Sequence, residues 1–289
     1  MTLVFFGLCG LAGAARAQSA EKPLDLKRPP AALAAWVEKT EEWQSLSPRQ
    51  LASLASAVGR SGETGKAARQ LLTGQVEATY LANAEGVRAV GREWVRLIDA
   101  LVLPKETRAA WGEKLFAAVA AAPGAFPYAE CCEMEGLLTH LGSGRSSDVF
   151  VAWVSKSGAW KTLRPGPLAS VARSVGAAGK AGEPALAELV GHVEKTRLAD
   201  NAAVTAVRSA EWLALARSLA TRLSAEQRDA WAGKLRAAYV TDEATLKTLS
   251  VSDVTALSDA LSALGDKKAR GIVSQWLATR TGKTRQADR

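Results

Sequence analysis

The sequence predicts an all-α protein made of tandem helical hairpins, about six in number, that arose by internal duplication and stack in an α-solenoid-like array. The composition favours helices, because Ala and Leu dominate the 289 residues and only 10 are Pro. The stretches Ala35–Gly59 and Ala152–Gly176 align without a gap, and 13 of their 25 positions are identical. Hairpin signals recur at intervals of roughly 30 to 46 residues, which is the range of helical repeats.

The chain divides into five predicted segments. Residues 1–17 resemble a signal peptide, with an apolar run from Leu3 to Leu11 and small residues at Ala15 and Ala17 before Gln18. A linker, 18–31, leads to a first half at 32–151 and a second half at 152–280, each of three hairpins, and 281–289 form a basic, disordered tail. We therefore expect a periplasmic or secreted protein that is not transmembrane after signal cleavage.

The first hairpin begins near Ala32. Trp36 and Trp43 are seven residues apart, which predicts that they share one helix face. Ser47 and Pro48 are typical of an N-cap followed by Pro at the first helical position, and Gly59 and Gly62 predict the helix end. A partner helix carries the apolar residues Ala68, Leu71, Leu72 and Val76.

The next two hairpins complete the first half. Pro104 separates a helix centred on Trp94 from one centred on Trp111. Pro123 and Pro127 mark a loop, and a turn at 142–147 separates the last two helices. The apolar stripes that define these helices are Leu97, Ile98, Leu101, Leu115, Phe116, Val119, Met134, Leu137, Leu138, Leu141, Val149, Phe150, Trp153 and Val154.

The second half repeats this plan at offsets that drift from 117 to 123 residues, as small loop insertions would produce. Every tryptophan falls at a position that is repeated. A large indole kept at equivalent positions predicts a packing anchor between neighbouring helices rather than an exposed platform for ligands. The predicted structural anchors are Trp36, Trp43, Trp94, Trp111, Trp153, Trp160, Trp212, Trp231 and Trp276.

The hairpin near the C-terminus carries a resemblance to a known superfamily. Its pattern consists of Leu249, Ser250, Val254, Leu257, Leu261, Leu264, Gly265, Asp266 and Ala269. It resembles the helix–turn–helix units of the tetratricopeptide-like and HEAT-like helical repeats. The resemblance implies that the Gly-Asp turn and the following Ala let two helices approach closely.

Few residues suggest chemistry. Glu130, Cys131, Cys132, Glu133, Glu135 and His140 form the densest group of potential metal ligands, but their spacing lacks the regularity of a zinc motif. We interpret Cys131 as a core residue, and the Cys131–Cys132 pair could be reduced, metal-bound or bridged in an oxidising compartment. His140 and His192 lack counterparts in the other half and are interpreted as surface or capping residues.

Several acidic and basic residues occur in both halves. These pairs are Glu77 with Glu194, Glu93 with Glu211, Lys39 with Lys156, and Lys114 with Lys234. Two carboxylates that converge across a cavity could hydrolyse a glycan, but equivalent residues in successive units more often make equivalent local contacts. We expect local contacts here.

These observations predict a non-catalytic, exported helical-repeat scaffold without a cofactor. The formal charge of +8 is spread along the chain rather than clustered, so we expect another protein as partner, with an anionic cell-envelope polymer as the second class and no nucleic acid. The alternative is an all-α enzyme of the α/α toroid type that acts on a glycan.

Overall fold

The fold is all-helical, as predicted. The computed structural model describes residues 25–269 and 271–281, and within those ranges it contains helices and connecting turns but no strand. The predicted signal peptide, residues 18–24 of the predicted linker and almost all of the predicted basic tail lie outside the described residues. The helix α1 begins at Pro30, two residues before the predicted start of the first half.

Seven α-helices precede α8, which spans the boundary between the predicted halves, and eight follow it within the described residues. The bounds are α1 Pro30–Lys39, α2 Pro48–Gly59, α3 Lys66–Tyr80, α4 Ala84–Val90, α5 Trp94–Leu101, α6 Lys105–Ala121, α7 Tyr128–His140, α8 Asp148–Lys156, α9 Pro165–Ala177, α10 Glu183–Thr196, α11 Asn201–Thr205, α12 Ser209–Leu219, α13 Ala225–Leu235, α14 Glu243–Thr248, α15 Val251–Ala263 and α16 Gly271–Thr281. The boundary expected between residues 151 and 152 falls inside α8.

Short helices between these elements recur at the duplicated offsets. The 3-10 helices Glu42–Ser45 and Ala159–Thr162 are 117 residues apart, as are Gly62–Gly65 and Gly179–Gly182. The helices α7 and α15 both have 13 residues. The correspondence is not complete. For example, α13 continues as a π-helix, Arg236–Thr241, where α6 remains α-helical.

Local sequence signals account for several helix ends. Ser47 accepts a hydrogen bond from the Gln50 backbone N–H, and the Gln50 side chain accepts one from the Ser47 backbone N–H, which forms a capping box at α2. Gly142 and Gly265, with φ of 70° and 85°, follow the ends of α7 and α15. Their left-handed conformation lets the next residue's N–H reach back to the last turn, so these carbonyls are satisfied.

Helices pack both on their chain neighbours and on helices further along the chain. Helix α2 packs on α1, α3 and α5, α8 packs on α6, α7, α9 and α10, and α12 packs on α9 and α15. The buried hydrophobic side chains form one continuous core that extends from Leu33 to Trp276. The helix α8 therefore lies at the junction of the two halves and belongs to the same core as both.

Trp43 is placed differently from the prediction. The helix α1 ends at Lys39, and Trp43 lies in the following 3-10 helix instead of on the same helix face as Trp36. The indole N–H of Trp43 donates to the carbonyl oxygens of Val37 and Thr40 at 2.9 and 2.8 Å. Since the last carbonyls of a helix lack partners within it, the folded-back indole stabilises this helix end.

Candidate binding clefts

The tryptophan rings lie in the joints between helices. Eight of the nine are buried, and Trp36 is only partly buried where it packs against the core. Trp94 and Trp111 meet edge to face with ring centroids 6.1 Å apart, and Trp212 and Trp231 repeat that arrangement at 6.4 Å. Such pairs favour a fixed angle between neighbouring helices in addition to burying a large apolar area.

The indole N–H groups also bind equivalent partners in the two halves. Trp94 donates to the Val87 carbonyl at the end of α4, and Trp212 donates to the Val204 carbonyl at the end of α11. Further indoles donate to the carbonyl oxygens of Val154, Phe126 and Leu249, from Trp160, Trp153 and Trp276 respectively. Each of these side chains thus buries a ring and satisfies a backbone carbonyl in the last turn of a helix or directly after it.

The repeated glutamates bind two further indoles. Glu77 accepts a hydrogen bond from Trp111 at 2.6 Å, and Glu194 accepts one from Trp231 at 3.0 Å. Lys114 pairs with Glu77 at 3.3 Å, whereas the Gln227 amide donates to Glu194. Both oxygens of Glu77 and one oxygen of Glu194 accept hydrogen bonds at these helical joints, which indicates a structural role.

The Cys and Glu side chains of helix α7 have different environments and different partners. Burial, followed by the charges that Cys132 and Glu130 can carry, raises the pKa of Cys131 to about 12, so its thiol stays protonated. Cys131 is buried, Cys132 is exposed, and neither is in a disulfide. Within residues 25–269 and 271–281, no group of three or more His, Cys, Asp or Glu side chains could hold a metal ion.

The two histidines occupy unlike positions. His140, the last residue of α7, contacts Asp99 with 2.8 Å between the imidazole Nε2 and a carboxylate oxygen, as a surface residue would. His192 instead lies within α10, with its ring edge-on to Trp160 at 5.1 Å. Burial and the positive charges of Arg197 and Lys161 lower the pKa of His192 below its ordinary value.

One cleft, which we call the paired cleft, lies between the end of α4 and the start of α7. It has a volume of about 430 Å3, with apolar atoms from Val87, Phe126 and Met134 at its base. Two ion pairs bridge it, from Arg88 to Glu130 at 2.8 Å and from Arg92 to Glu133 at 3.0 Å. The opposite charges neutralise each other, so the cleft combines an apolar base with a charged but balanced rim.

A second cleft, which we call the arginine cleft, lies where the start of α9, the end of α10 and the start of α12 meet. Its volume is about 410 Å3, and Arg164, Arg197 and Arg208 line it together with a single carboxylate, Glu211. The lining therefore carries a net positive charge. Such a volume suffices for a small ligand.

Hydrogen bonds hold parts of the arginine cleft. The Arg208 side chain and backbone N–H both donate to Glu211, at 3.3 and 3.2 Å, and Arg197 Nη2 lies 3.4 Å from the Leu163 carbonyl. Burial alone would raise the pKa of Glu211. The hydrogen bonds from Arg208 and the charge of Arg164 outweigh burial, so the pKa lies below its ordinary value and the carboxylate is ionised at neutral pH.

Neither cleft is predicted by the sequence patterns described above. In the arginine cleft the three arginines come from separate parts of the chain, so they form no run of like charge. A comparison of the two halves contains the missing signal, because Ser47 and Tyr80 occupy the positions that correspond to Arg164 and Arg197 at the offset of 117. A charge gained in one copy of a duplicated position marks a surface that the joints alone do not require.

Searches with protein-family models, curated proteins and solved structures gave no match to this chain. Among the helices that the structure describes, none is both long enough and apolar enough to cross a bilayer.

Proposed function

We propose that this chain is a duplicated helical-repeat protein of about six hairpins, α-solenoid-like in arrangement and similar to the tetratricopeptide-like and HEAT-like repeats. The support lies in the recurrence of helix bounds at fixed offsets and in the equivalent hydrogen bonds of Trp94 and Trp212. One continuous core without disulfides suits an array that is stabilised by stacking of neighbouring units.

The proposed function is that of a non-catalytic, exported scaffold that binds another protein. The observation that carries it is the use of the repeated polar residues within the joints, seen most clearly in Glu77 and Glu194. Residues that the joints use in this way are not available as a catalytic pair. Surface residues that differ between the halves remain available, and we propose that they bind partners in the periplasm or outside the cell.

The paired cleft is the proposed docking surface for the protein partner. An apolar base with a polar rim is the common design of protein interfaces. Arg92 and Glu133, with 89% and 34% of their side chains exposed, offer a cation and an anion side by side. A partner segment with an apolar side chain between opposite charges would fit this arrangement.

The test is cross-linking of the full chain in its native extract, followed by identification of the bound proteins by mass spectrometry. We expect one partner to be captured by the wild type and by Arg173→Ala, an exposed arginine on α9 away from the cleft. Arg92→Ala and Glu133→Ala should reduce the capture of that same partner several-fold, since both remove rim contacts. Equal capture by all four proteins contradicts docking at the paired cleft.

Two further measurements test the remaining parts of this function. Fractionation and N-terminal sequencing should find the mature protein outside the cytoplasm with Gln18 at its N-terminus. The second measurement is an assay for reducing sugar released from an envelope glycan. If sugar is released by the wild type and not by Glu77→Gln, the protein is a glycan-hydrolysing enzyme and the scaffold proposal is wrong.

The arginine cleft favours the second partner class, an anionic envelope polymer. Its excess of positive charge has no counterpart in the first half, where Ser47 and Tyr80 occupy the corresponding positions.

A further inference from the structure

We infer that the arginine cleft is a binding site for phosphate groups. This site rests on the binding function proposed above and names the chemistry of an anionic ligand. Arg164, Arg197 and Arg208 approach one concave surface from three different elements. Guanidinium groups stay charged at any physiological pH and form paired hydrogen bonds with phosphate oxygens, so three of them around one cleft suit a phosphate better than a neutral ligand.

The arginines of the cleft retain donors that the protein does not use. Arg197 Nε is buried and has no hydrogen-bond partner in the structure, and the only hydrogen bond recorded for its other nitrogens is the long one to the Leu163 carbonyl. A buried donor without a partner is costly, and an anion in the cleft would satisfy it. Arg208 binds Glu211 but leaves 80% of its side chain exposed.

Charge balance also favours an anion. Glu211 is the only carboxylate in the lining, and it stands beside the first turn of α9, where a β-carbon added to Gly166 would lie 3.8 Å from a Glu211 oxygen. Arg208 neutralises that carboxylate, which leaves the charges of Arg164 and Arg197 without a counter-ion among the lining residues. A doubly charged phosphate matches this remaining charge.

The side chains, rather than the helix end, provide the recognition. The helix α9 begins with Pro165 and contains Pro167, neither of which has a backbone N–H. Its N-terminus therefore offers few donors to an anion. Loss of a single guanidinium should consequently be felt strongly.

The experiment is calorimetric titration of the purified full chain with pyrophosphate at low and raised ionic strength. We expect saturable binding at one site per chain that weakens with salt. Arg164→Gln should weaken it about tenfold through the loss of charge-assisted hydrogen bonds, and Arg164→Lys by less, because the charge remains without the fork. Arg173→Gln, which removes an exposed arginine from the same helix outside the cleft, should change the affinity by less than about twofold.

A variant that is expected to bind more tightly distinguishes the loss of a binding residue from the loss of folding. Glu211→Gln removes the only negative charge of the lining but keeps an oxygen acceptor for Arg208, so pyrophosphate should bind several-fold more tightly. Arg164 is exposed, and its substitution should leave the thermal midpoint unchanged.

The source of the phosphate is resolved by two further ligands. Binding of glycerol phosphate identifies a small phosphorylated molecule, and much tighter binding of linear polyphosphate identifies a phosphate-bearing polymer. Citrate should bind at least about tenfold more weakly than pyrophosphate, since its charge is spread over three separated carboxylates instead of two adjoining phosphates. Absence of saturable binding, equal losses with Arg164→Gln and Arg173→Gln, or equal affinity for citrate would each overturn the site. Because small anions and purified protein are used, these outcomes are separate from the capture of a protein partner.

Discussion

In the first half α5 packs closely on α2 and meets α7 at only a few residues, whereas in the second half α12 packs closely on both α9 and α15. The more extensive contact goes with a longer helix, 11 residues in α12 against 8 in α5, and with small side chains. Ala216 on α12 and Ala260 on α15 are buried where Ile98 and Leu137 occupy the corresponding positions in the first half. The same indole joints therefore accompany two extents of helix contact, and the size of the residues around them contributes to the difference.

The polar contacts differ in the same way. Arg236 pairs with Asp266 in the second half, where the first half has Phe116 under the guanidinium of Arg145 at 4.2 Å. Both arrangements join the end of one helical unit to the turn of the next. The duplicated part is thus the indole and its carbonyl, while the contacts around it have diverged.

The largest effect should separate two equivalent tryptophans. Trp153→Ala removes a buried ring at the junction helix α8 and should cost about 3–5 kcal/mol of unfolding free energy. Trp36→Ala should cost roughly half as much, because that ring is only partly buried. Urea unfolding followed by circular dichroism measures both, and equal costs would contradict the difference in burial.

A smaller effect should follow from the different extents of helix contact in the two halves. Ala216→Leu forces extra volume between α9, α12 and α15 and should destabilise the fold by about 1–3 kcal/mol. Ile98→Leu, the matched change of shape at the roomier position in α5, should cost less than about 1.5 kcal/mol. If thermal unfolding shows a larger cost for Ile98→Leu than for Ala216→Leu, the small residues do not account for the more extensive contact of α12.

The repeated carboxylates should differ in their response to salt. Glu77→Gln loses the charge that Lys114 pairs with, in addition to weakening the bond from Trp111, and should cost about 1 kcal/mol at low salt. Glu194→Gln keeps an acceptor for Trp231 next to a neutral Gln227 and should cost about half of that. Raised salt should narrow the gap, and a salt-independent difference would argue against the role of Lys114.

The smallest effect should appear only at alkaline pH. Burial raises the pKa of Tyr239 to about 12, and its hydroxyl donates to the Val204 carbonyl at 3.0 Å. Because the unfolded chain ionises this group at its ordinary pKa near 10, stability is fully present below about pH 10 and is lost as the pH rises toward 12.

Tyr239→Phe should lose this part of the alkaline dependence, as Val119 at the corresponding position of the first half has no group to titrate. Unfolding free energies of the two proteins between about pH 9 and 11 provide the measurement. Parallel pH profiles would show that Tyr239 ionises freely in the folded state.

Most of the helices could be predicted from the sequence, because the signals that define their ends are local. Ser47 with Gln50, and the glycines Gly142 and Gly265, define helix ends through bonds within a few residues. The end of α1 was missed because no Gly or Pro marks it, and a side chain six residues further on completes it. The apolar Leu71, expected on the partner helix, is exposed because it faces away from the core on α3.

The binding clefts were less accessible to sequence reasoning than the joints. A joint repeats, so two copies of Trp94 and Val87 reinforce one inference. The arginine cleft occurs in one half only, and its residues meet through the packing of α9, α10 and α12, which no local pattern encodes. Position-by-position comparison of the halves is the part of the sequence that could have revealed it.

The junction helix α8 has a consequence for chain scission. It packs on α6 and α7 before it and on α9 and α10 after it, so neither neighbour pair is sealed without it. A cut between residues 151 and 152 would split this helix and leave each fragment with an uncovered apolar surface. We therefore expect the two halves to unfold together as one cooperative unit, although each half carries its own copy of the same sequence pattern.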